Sequence, residues 1–373
     1  MNKVAQVAEN FISHDETISG VAEYGSGIIH DTYLVKLNNR ANRFILQRIN
    51  KQVFANPEAI MHNLKLVGKY IQERMKVSGS RIDSDWQMLQ SISAGDGRDF
   101  YVDADGDFWR ALSFIRGAVP LEQISCLDDA REVGRALGIF HWLTSDLNPE
   151  ILQETLPGFH NAEGYLKHYD EVIVRKKEAG EAGAFCQQFI ENRKGWTSVL
   201  ENGRRENQLR VRVIHGDPKI SNIMVNRITG KAVSIIDLDT VMPGLVQYDI
   251  GDCLRSCCNT AGEEVADLSA VRFDLERCEA ALYGYTGVAQ AFLTGADFDF
   301  LFDAIRLIPF ELGLRFYTAF QEGSPYFRVD RQGQNLDRAL VQFKLVESIE
   351  QQENEITALI EECRGFFAGS DTA

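Results

Sequence analysis

Residues 214–225 read IHGDPKISNIMV, and residues 234–239 read SIIDLD. In both stretches an apolar strand delivers polar side chains onto a loop: Asp217 and Asn222 follow the first strand, and Asp237 follows the second. A carboxylate with apolar flanks is costly to bury unless a cation meets it. The pattern therefore predicts a functional loop between two strands. The alternative is that these side chains only cap turns.

The spacing within these stretches is typical of phosphoryl transfer. That reaction needs a carboxylate near the attacking hydroxyl, oxygen ligands for Mg²⁺ and a cation near the transferred phosphate. An Asn five residues after the first Asp, and a further Asp on the next strand, match the pattern of the kinase catalytic loop. We predict that Asp217 contacts the acceptor and takes its proton, that Lys219 reaches the phosphate, and that Asn222 and Asp237 hold Mg²⁺.

The rest of the chain predicts two lobes. Residues 1–20 have the pattern of one helix, and strands, a glycine turn and an Asp-rich hairpin follow. After residue 117 the periodic segments are helical, at about 127–145, 161–178, 181–202, 263–287, 297–321 and 337–363. We predict an α+β protein with a β-rich nucleotide-binding lobe over residues 1–115. A helical lobe over 116–373 would carry the catalytic loop, the substrate site and a buried hairpin of residues 211–214 and 232–236.

Composition excludes several classes of partner. The 373 residues include 39 Lys and Arg against 54 Asp and Glu, a net charge of -15. Such a surface repels nucleic acid and anionic membranes, and no run of 18 apolar residues is present to span a bilayer. The seven cysteines have no zinc-like spacing and predict free thiols in a reducing compartment. We therefore expect a cytoplasmic protein whose partner is a small molecule.

Further segments resemble a known family over almost the whole chain. They are Tyr24-Gly25-Ser26-Gly27, FILQRIN at 44–50, IDLDTVMPG at 236–244, YDIGD at 248–252, GLRF at 313–316 and SPYF at 324–327. With the catalytic stretch, they resemble the aminoglycoside phosphotransferase and choline kinase superfamily, most closely its bacterial N-acetylhexosamine 1-kinases. The resemblance implies a bilobal protein-kinase-like fold and the use of ATP and Mg²⁺ to phosphorylate the anomeric hydroxyl of an amino sugar. Those kinases carry HNDTK where this chain has HGDPK at 215–219.

The nucleotide is expected to bind against the N-terminal strands. The turn Gly25-Ser26-Gly27 would approach the phosphates with its backbone N–H groups, although a plain hairpin has the same pattern. Protein kinases place a Lys on the third strand, and here Gln47 stands there with Arg48 beside it. Strand alternation lets one of the two face the cleft, and we predict Gln47. The backbone of Phe114 and Ile115 would meet the adenine.

Three residues are predicted to bind the acceptor besides Asp217. Arg315 and Tyr326 recur in the resembled sugar kinases, which implies a sugar contact. Arg315 also lies four residues after Glu311, so a helical ion pair is the alternative. Asp239 is predicted to bind substrate or metal, or else to cap the turn that follows it.

Two further polar residues are predicted to support the loop rather than to react. His215 would brace it through hydrogen bonds instead of binding metal. Asp249, which opens a helix before Gly251, would brace the loop or the N-terminus of the helix.

Other functions remain open at this point. A kinase for another small alcohol, such as choline, homoserine, methylthioribose or an aminoglycoside, would use the same loop, because substrate choice resides in the site and not in the fold. The missing Lys on the third strand also suggests a non-catalytic nucleotide- or sugar-binding protein. The retained Asp217, Asn222 and Asp237 argue against it.

Overall fold

The computed structural model describes residues 3–25, 29–38, 42–77, 85–174, 180–323 and 327–369. It is an α+β structure in which a small antiparallel-sheet lobe precedes a larger helical lobe, so the predicted fold class is confirmed. The described helices are α1 (Lys3–Ala8), α2 (Pro57–Val77), α3 (Leu127–Thr144), α4 (Ala162–Ile173), α5 (Glu181–Arg193), α6 (Val199–Arg205), α7 (Val246–Cys258), α8 (Leu275–Ala289), α9 (Gly295–Asp299), α10 (Leu301–Glu322), α11 (Gln334–Gln351) and α12 (Glu353–Gly369).

The N-terminal lobe is built on one antiparallel sheet. Its strands are β1 (Ile18–Glu23), β2 (Asp31–Leu37), β3 (Arg43–Arg48), β4 (Ser91–Ile92), β5 (Tyr101–Val102) and β6 (Phe108–Ser113). They lie in the order β1-β2-β3-β6-β4, with β5 also paired to β6. The alternating apolar residues of these strands, including Val35, Leu46 and Ala111, form a core with α1 on one face of the sheet.

The prediction of a single helix over residues 1–20 is wrong. Helix α1 ends at Ala8, and a short 3₁₀ turn from Glu9 to Phe11 follows it. Ser13 then begins a turn in which its hydroxyl donates to Glu16 at 2.8 Å. The residues from Ile18 onward pair with β2 as a strand. Hydrogen bonds from a neighbouring strand, which local periodicity does not report, outweigh the helical pattern in this segment.

The C-terminal lobe centres on a close helix pair. At the crossing of α3 and α8, a Cβ added to Gly134 would lie 1.9 Å from the Ala281 carbonyl oxygen, and one added to Gly284 would lie 2.0 Å from that of Arg131. Both glycines therefore let the two backbones touch. Most predicted helical segments are present, but the one predicted at 181–202 is broken by a 3₁₀ helix over Lys194–Ser198, and the one at 263–287 begins only at Leu275. Those predicted at 297–321 and 337–363 are interrupted at Phe300 and Gln352.

The predicted buried hairpin is also wrong in its pairing. Strand β8 (Arg212–Ile214) pairs with β11 (Met242–Gly244), whereas β10 (Ala232–Ile235) pairs with β9 (Ile223–Asn226). Strand β9 also pairs with β7 (Ala118–Pro120). The apolar residues that follow the catalytic loop form β9, and β9 occupies the position beside β10 that was predicted for β8. The loop from 215 to 222 therefore bridges two small sheets.

Two further features bear on the predictions. None of the helices in the described ranges is both long and apolar enough to cross a bilayer. All seven cysteines are free thiols, and only Cys126 among them is exposed. The lobe boundary at residues 115 and 116 stays a prediction; β6 ends at Ser113 in one sheet, and β7 begins at Ala118 in another.

Candidate active site

The loop between β8 and β9 gathers three of the predicted reactive side chains. Lys219 Nζ lies 2.6 Å from Asp217 Oδ2. Asn222 Nδ2 donates to the Asp217 carbonyl oxygen at 2.7 Å and lies 3.4 Å from Oδ2. Since the amide nitrogen of Asn222 is used in this way, its Oδ1 is the atom left to face a cation. Burial alone would lower the pKa of Lys219, but the charges of Asp217 and Asp237 outweigh it and raise the pKa, so the ammonium keeps its proton.

Asp237 follows β10 and is joined to the same loop through its neighbour. The Ile236 N–H donates to the Asn222 carbonyl oxygen at 2.9 Å, and the Ile236 carbonyl oxygen is 2.9 Å from His215 Nε2. Asp237 adopts a left-handed backbone with φ of 66°, and its carboxylate makes no capping hydrogen bond to the short turn of residues 238–240. Burial and, next, the charge of Asp239 raise its pKa. A carboxylate with these surroundings needs a cation.

The residues present fit Mg²⁺. One carboxylate, Asp237, and one amide oxygen, Asn222 Oδ1, belong to adjoining segments, and Mg²⁺ is commonly held by one or two carboxylates together with substrate phosphates. Burial and the charge of Asp239 raise the pKa of Asp237, and a cation beside it would favour its charged form. The assignment of Asn222 and Asp237 as the metal ligands stays a prediction.

A buried acid holds the start of the loop. Asp249 in α7 is fully buried, and its carboxylate accepts the backbone N–H groups of His215 at 2.6 Å and Gly216 at 2.8 Å. His141 Nε2 lies 2.8 Å from the same carboxylate. Burial by itself raises the pKa of Asp249, but the hydrogen bond with His141 and the neighbouring donors lower it below its usual value. The Asp217 N–H donates to His215 Nδ1 at 3.3 Å. Asp249 and His215 thus make the hydrogen bonds that a bracing role requires.

A second buried histidine contacts the loop from the other side. His160 Nε2 lies 2.9 Å from the Gly216 carbonyl oxygen, and its Nδ1 lies 3.3 Å from Glu311 Oε1. Gly216 has φ of 87°, and a Cβ there would lie 2.7 Å from the Thr240 carbonyl oxygen, which explains why this chain has Gly before Asp217. His160 has a left-handed backbone, with φ of 58°. For a non-glycine residue that conformation costs energy, which the contacts of its ring must offset.

On the nucleotide side, the structure separates the two candidates on β3. The Gln47 side chain faces the loop of Asp237, and its Oε1 accepts Arg110 Nε at 2.9 Å. Arg48 lies on the opposite face and donates to Asp31 at 2.7 Å. This arrangement favours Gln47 over Arg48 for a phosphate contact, which stays a prediction. Gly25 has the expected positive φ of 80°, whereas Ser26 and Gly27 lie outside the described residues.

The connector residues are near the glycine turn. The Phe114 ring lies 6.0 Å from that of Tyr24, and the Arg43 guanidinium lies 4.2 Å from the Phe114 ring centre. Ile115 is buried in the main core. Phe114 therefore lies beside the residue that leads into the glycine turn, and the adenine contacts predicted for it and Ile115 stay predictions.

Asp239 is held by an arginine and a histidine of the N-terminal lobe. Arg110 Nη1 lies 2.6 Å from its Oδ1, and His30 Nε2 lies 2.7 Å from its Oδ2. Burial would raise the pKa of Asp239, but the charge of Arg110 and the contact with His30 lower it well below the usual range. The predicted role of Asp239 in binding substrate stays a prediction, although both of its oxygens are engaged within the protein.

The acceptor side shows an arginine enclosed by aromatic rings. The Arg315 guanidinium lies 5.3 Å from the ring centre of Phe159, 4.9 Å from that of Tyr165 and 5.5 Å from that of Phe327. Glu311, the alternative partner, lies beside His160. Phe159 directly precedes His160, which contacts the Gly216 carbonyl oxygen of the catalytic loop. A substrate contact of Arg315 stays a prediction. Tyr326 lies outside the described residues.

Sequence reasoning missed several residues of this site. Arg110, His30, His160 and Glu311 are all less than one-tenth exposed. Arg110 had a signal, because a charged residue in the apolar stretch FWRAL at 108–112 must meet a partner when the strand is buried. The others had no local signal, since their partners are far away in the chain.

Comparisons with known proteins agree with this geometry. A model of the phosphotransferase enzyme family matches residues 20–285, more than half of the chain. A microcompartment-associated aminopropanol kinase is 17% identical with a TM-score of 0.57, over 95% of this chain and 98% of that one. An aminoglycoside phosphotransferase from Alicyclobacillus acidocaldarius subsp. acidocaldarius is 12% identical with a TM-score of 0.61, over 98% and 96%. A choline kinase from Cryptosporidium parvum is 11% identical with a TM-score of 0.58, over 96% and 98%. At these identities the likeness establishes the shared fold.

Proposed function

Because the chain belongs to the phosphotransferase enzyme family, we propose that it transfers the γ-phosphoryl group of ATP to the anomeric hydroxyl of an N-acetylhexosamine. Family membership makes it a small-molecule kinase that acts on an alcohol group. The proposed part is the identity of the acceptor, either N-acetylglucosamine or N-acetylgalactosamine. The observation that supports the reaction is that Asp217, Lys219 and Asn222 contact one another on the loop between β8 and β9, and that Asp237 follows β10, the strand paired with β9.

The side chains divide the work as follows. Asp217 orients the acceptor hydroxyl and takes its proton while the hydroxyl oxygen bonds to the γ-phosphorus and the bond to the bridging oxygen of ADP breaks. Lys219 keeps its proton and supplies positive charge beside Asp217. Asn222 and Asp237 would hold Mg²⁺, which when bound neutralises charge on the phosphates. Asp249 and His160 fix the backbone on either side of Gly216, so that Asp217 is oriented before the substrate arrives.

The acceptor is inferred from the surroundings of Arg315. Guanidinium N–H groups donate well to the hydroxyl and carbonyl oxygens of an acetylated sugar, and the rings of Phe159, Tyr165 and Phe327 offer apolar walls. A cationic acceptor such as choline would meet repulsion from the arginine. The aminopropanol and choline kinases named above share the fold, and aminopropanol and choline are cations at neutral pH, so an amino alcohol is the main alternative acceptor.

A screen of acceptors tests this proposal. ADP release is measured with Mg²⁺ and ATP over N-acetylglucosamine, N-acetylgalactosamine, choline, ethanolamine, 1-aminopropan-2-ol and homoserine, with the Asp217→Asn variant as the blank. We expect turnover with one of the acetylated sugars and a product whose ³¹P spectrum shows phosphate on the anomeric carbon. If turnover occurred only with an amino alcohol, that compound would be the acceptor in place of the acetylated sugar. Equal ADP release by the wild type and the blank would remove the enzymatic assignment.

A further inference from the structure

A buried charge cluster joins the N-terminal sheet to the loop that carries Asp237, and the proposed reaction makes no use of it. Arg110 in β6 is 2% exposed, as is Asp239, and their side chains lie 2.6 Å apart. His30 is 2.7 Å from the other carboxylate oxygen of Asp239. Burying such charges is expensive unless each has a well-placed partner. An ion pair that is buried this fully is therefore expected to have a specific structural or functional role.

The position of Arg110 is informative because of what stands opposite it. Arg110 pairs with Gln47 in the register of β3 and β6, and residues paired directly in this way project to the same side of a sheet. The Gln47 Oε1 accepts Arg110 Nε at 2.9 Å and Nη2 at 2.8 Å. Protein kinases place a Lys on the third strand. Here the third strand has a neutral amide, and the cation stands on the paired residue of the next strand.

Asp237 lies between two fixed points. On one side, Ile236 is hydrogen-bonded to the catalytic loop through Asn222 and His215. On the other side, Asp239 is held by Arg110. The intervening backbone has the left-handed φ of 66° at Asp237, which a free chain would seldom adopt. The orientation of Asp237 thus depends on both neighbours.

Helix α2 adds a third contact to the same loop. Asn63 is fully buried, and its Nδ2 donates to the Val241 carbonyl oxygen at 2.8 Å and to that of Gln153 at 2.7 Å. The N-terminal lobe therefore holds the loop at Asp239 through the sheet and at Val241 through a helix. Both contacts act on the segment that follows Asp237.

We propose that Arg110 is the positioning residue for this loop: it supplies the buried cation that β3 lacks and, through Asp239, orients Asp237 for Mg²⁺. Asp239 is then the counter-ion of Arg110 and the hydrogen-bond partner of His30, and it is not a ligand of metal or substrate. The inference rests on the proposed nucleotide and metal site, and it is independent of the identity of the acceptor.

Binding of ADP with and without Mg²⁺ tests this role without any turnover. In Arg110→Met the size of the side chain is largely kept and the charge is lost. By isothermal titration calorimetry we expect the gain in ADP affinity from Mg²⁺ to fall by about tenfold or more, because loss of an outer partner of a ligand costs about 10–100-fold in metal affinity. ADP affinity without Mg²⁺ should change little. Arg98→Met is the matched control, since Arg98 lies in the same lobe and pairs with exposed Asp96.

A second variant returns the charge to a neighbouring position. In Arg110→Met/Gln47→Lys the ammonium stands on β3, where protein kinases have it. We expect this variant to recover part of the Mg²⁺ gain that Arg110→Met loses. If the Mg²⁺ gain were not recovered, the shape of the guanidinium and not its charge would matter. That result would overturn the proposal that Arg110 supplies the cation that β3 lacks.

Two results would overturn the positioning role. An equal loss of ADP affinity with and without Mg²⁺ would show that Arg110 contacts phosphate directly. An unchanged Mg²⁺ gain with a lower unfolding temperature would leave only a structural ion pair. Should Arg110→Met fail to fold, Arg110→Met/Asp239→Asn removes both charges and leaves no unpaired carboxylate; a wild-type Mg²⁺ gain in that variant would equally defeat the proposal. Failure of the sugar screen alone affects only the acceptor, because these measurements need none.

Discussion

The two halves of the cleft hold their acids by different means. In the catalytic-loop half, Asp217 is contacted by Lys219 and Asn222, two and five residues away in sequence. In the other half, Asp239 is held by side chains of the N-terminal lobe, and His30 is 209 residues away. The first half is built by a short motif that carries its own partners. The second half exists only when the two lobes are assembled, so its partners leave no trace in the motif.

The largest effect is expected when Asp217, the proposed base in the catalytic-loop half, is replaced. Asp217→Asn keeps the size of the side chain but cannot accept the proton of the acceptor, so we expect kcat to fall by about 10²–10⁴-fold. The KM for ATP should change little, because Asp217 faces the acceptor. Steady-state kinetics with a coupled ADP assay measures the change, and an unaltered unfolding temperature shows that the loop remains folded. Wild-type turnover would show that the motif is only a turn.

The pH dependence of stability tests the brace behind the same loop. Burial would raise the pKa of Asp249, but hydrogen bonds lower it, so the folded-state pKa is below the unfolded value. Its stabilisation is therefore present above about pH 4 and is lost as pH falls through the folded-state pKa. Asp249→Asn should lower the free energy of unfolding at pH 7 by about 2–3 kcal/mol, since it leaves buried donors poorly paired.

Urea unfolding at several pH values measures this effect. The acid-induced loss of stability should be shallower in Asp249→Asn than in the wild type, and the exposed Asp15→Asn is the control. Parallel acid limbs for the wild type and Asp249→Asn would contradict a role for this carboxylate in acid unfolding.

The features that could be predicted from the sequence are those set by local motifs, and the features that could not are those set by contacts between distant segments. The strands before Asp217 and Asp237 were found because apolar runs end in polar residues, and the fold class followed from the order of sheet and helices. The partners of those strands were not found: β8 pairs with β11 and β10 with β9, and pairing is decided by tertiary packing. The helix predicted over residues 1–20 failed for the same reason, since Ile18 and its successors gain hydrogen bonds from β2.

Within the site, physical reasons also decide which residues could be predicted from the sequence. Alternation along β3 predicts that Gln47 and Arg48 point to opposite faces of the sheet, and they do contact different partners, Arg110 and Asp31. A phosphate contact of Gln47 stays a prediction. The role of His160 could not be read, because its contact with Gly216 spans 56 residues and requires an unusual backbone conformation. Local patterns report which groups are available, and the assembled lobes determine which of them meet.

A smaller effect is expected at His160, whose ring lies beside Phe159 and contacts the catalytic loop. His160→Phe removes the donor to the Gly216 carbonyl oxygen, whereas His160→Gln can retain it. We expect kcat to fall by about tenfold in the first variant, which corresponds to the net value of about one buried hydrogen bond, with most of the loss restored in the second. The KM for the acceptor should change less than kcat in both. Equal kinetics for His160→Phe and the wild type would show that the His160 side chain contributes only by packing and not by its hydrogen bond.

The smallest effect separates two arginines on neighbouring strands. The Arg48 side chain is 44% exposed and pairs with Asp31 and Asp107, whereas that of Arg110 is 2% exposed and pairs with Asp239. Exposed pairs contribute little, so Arg48→Met should change the free energy of unfolding by less than about 1 kcal/mol, and the change should shrink further in high salt. Chemical denaturation at low and high salt measures this. If Arg48→Met instead raised the KM for ATP severalfold at unchanged stability, Arg48 and not Gln47 would be the β3 residue that meets the phosphates, and the cleft would have to close further than the structure shows.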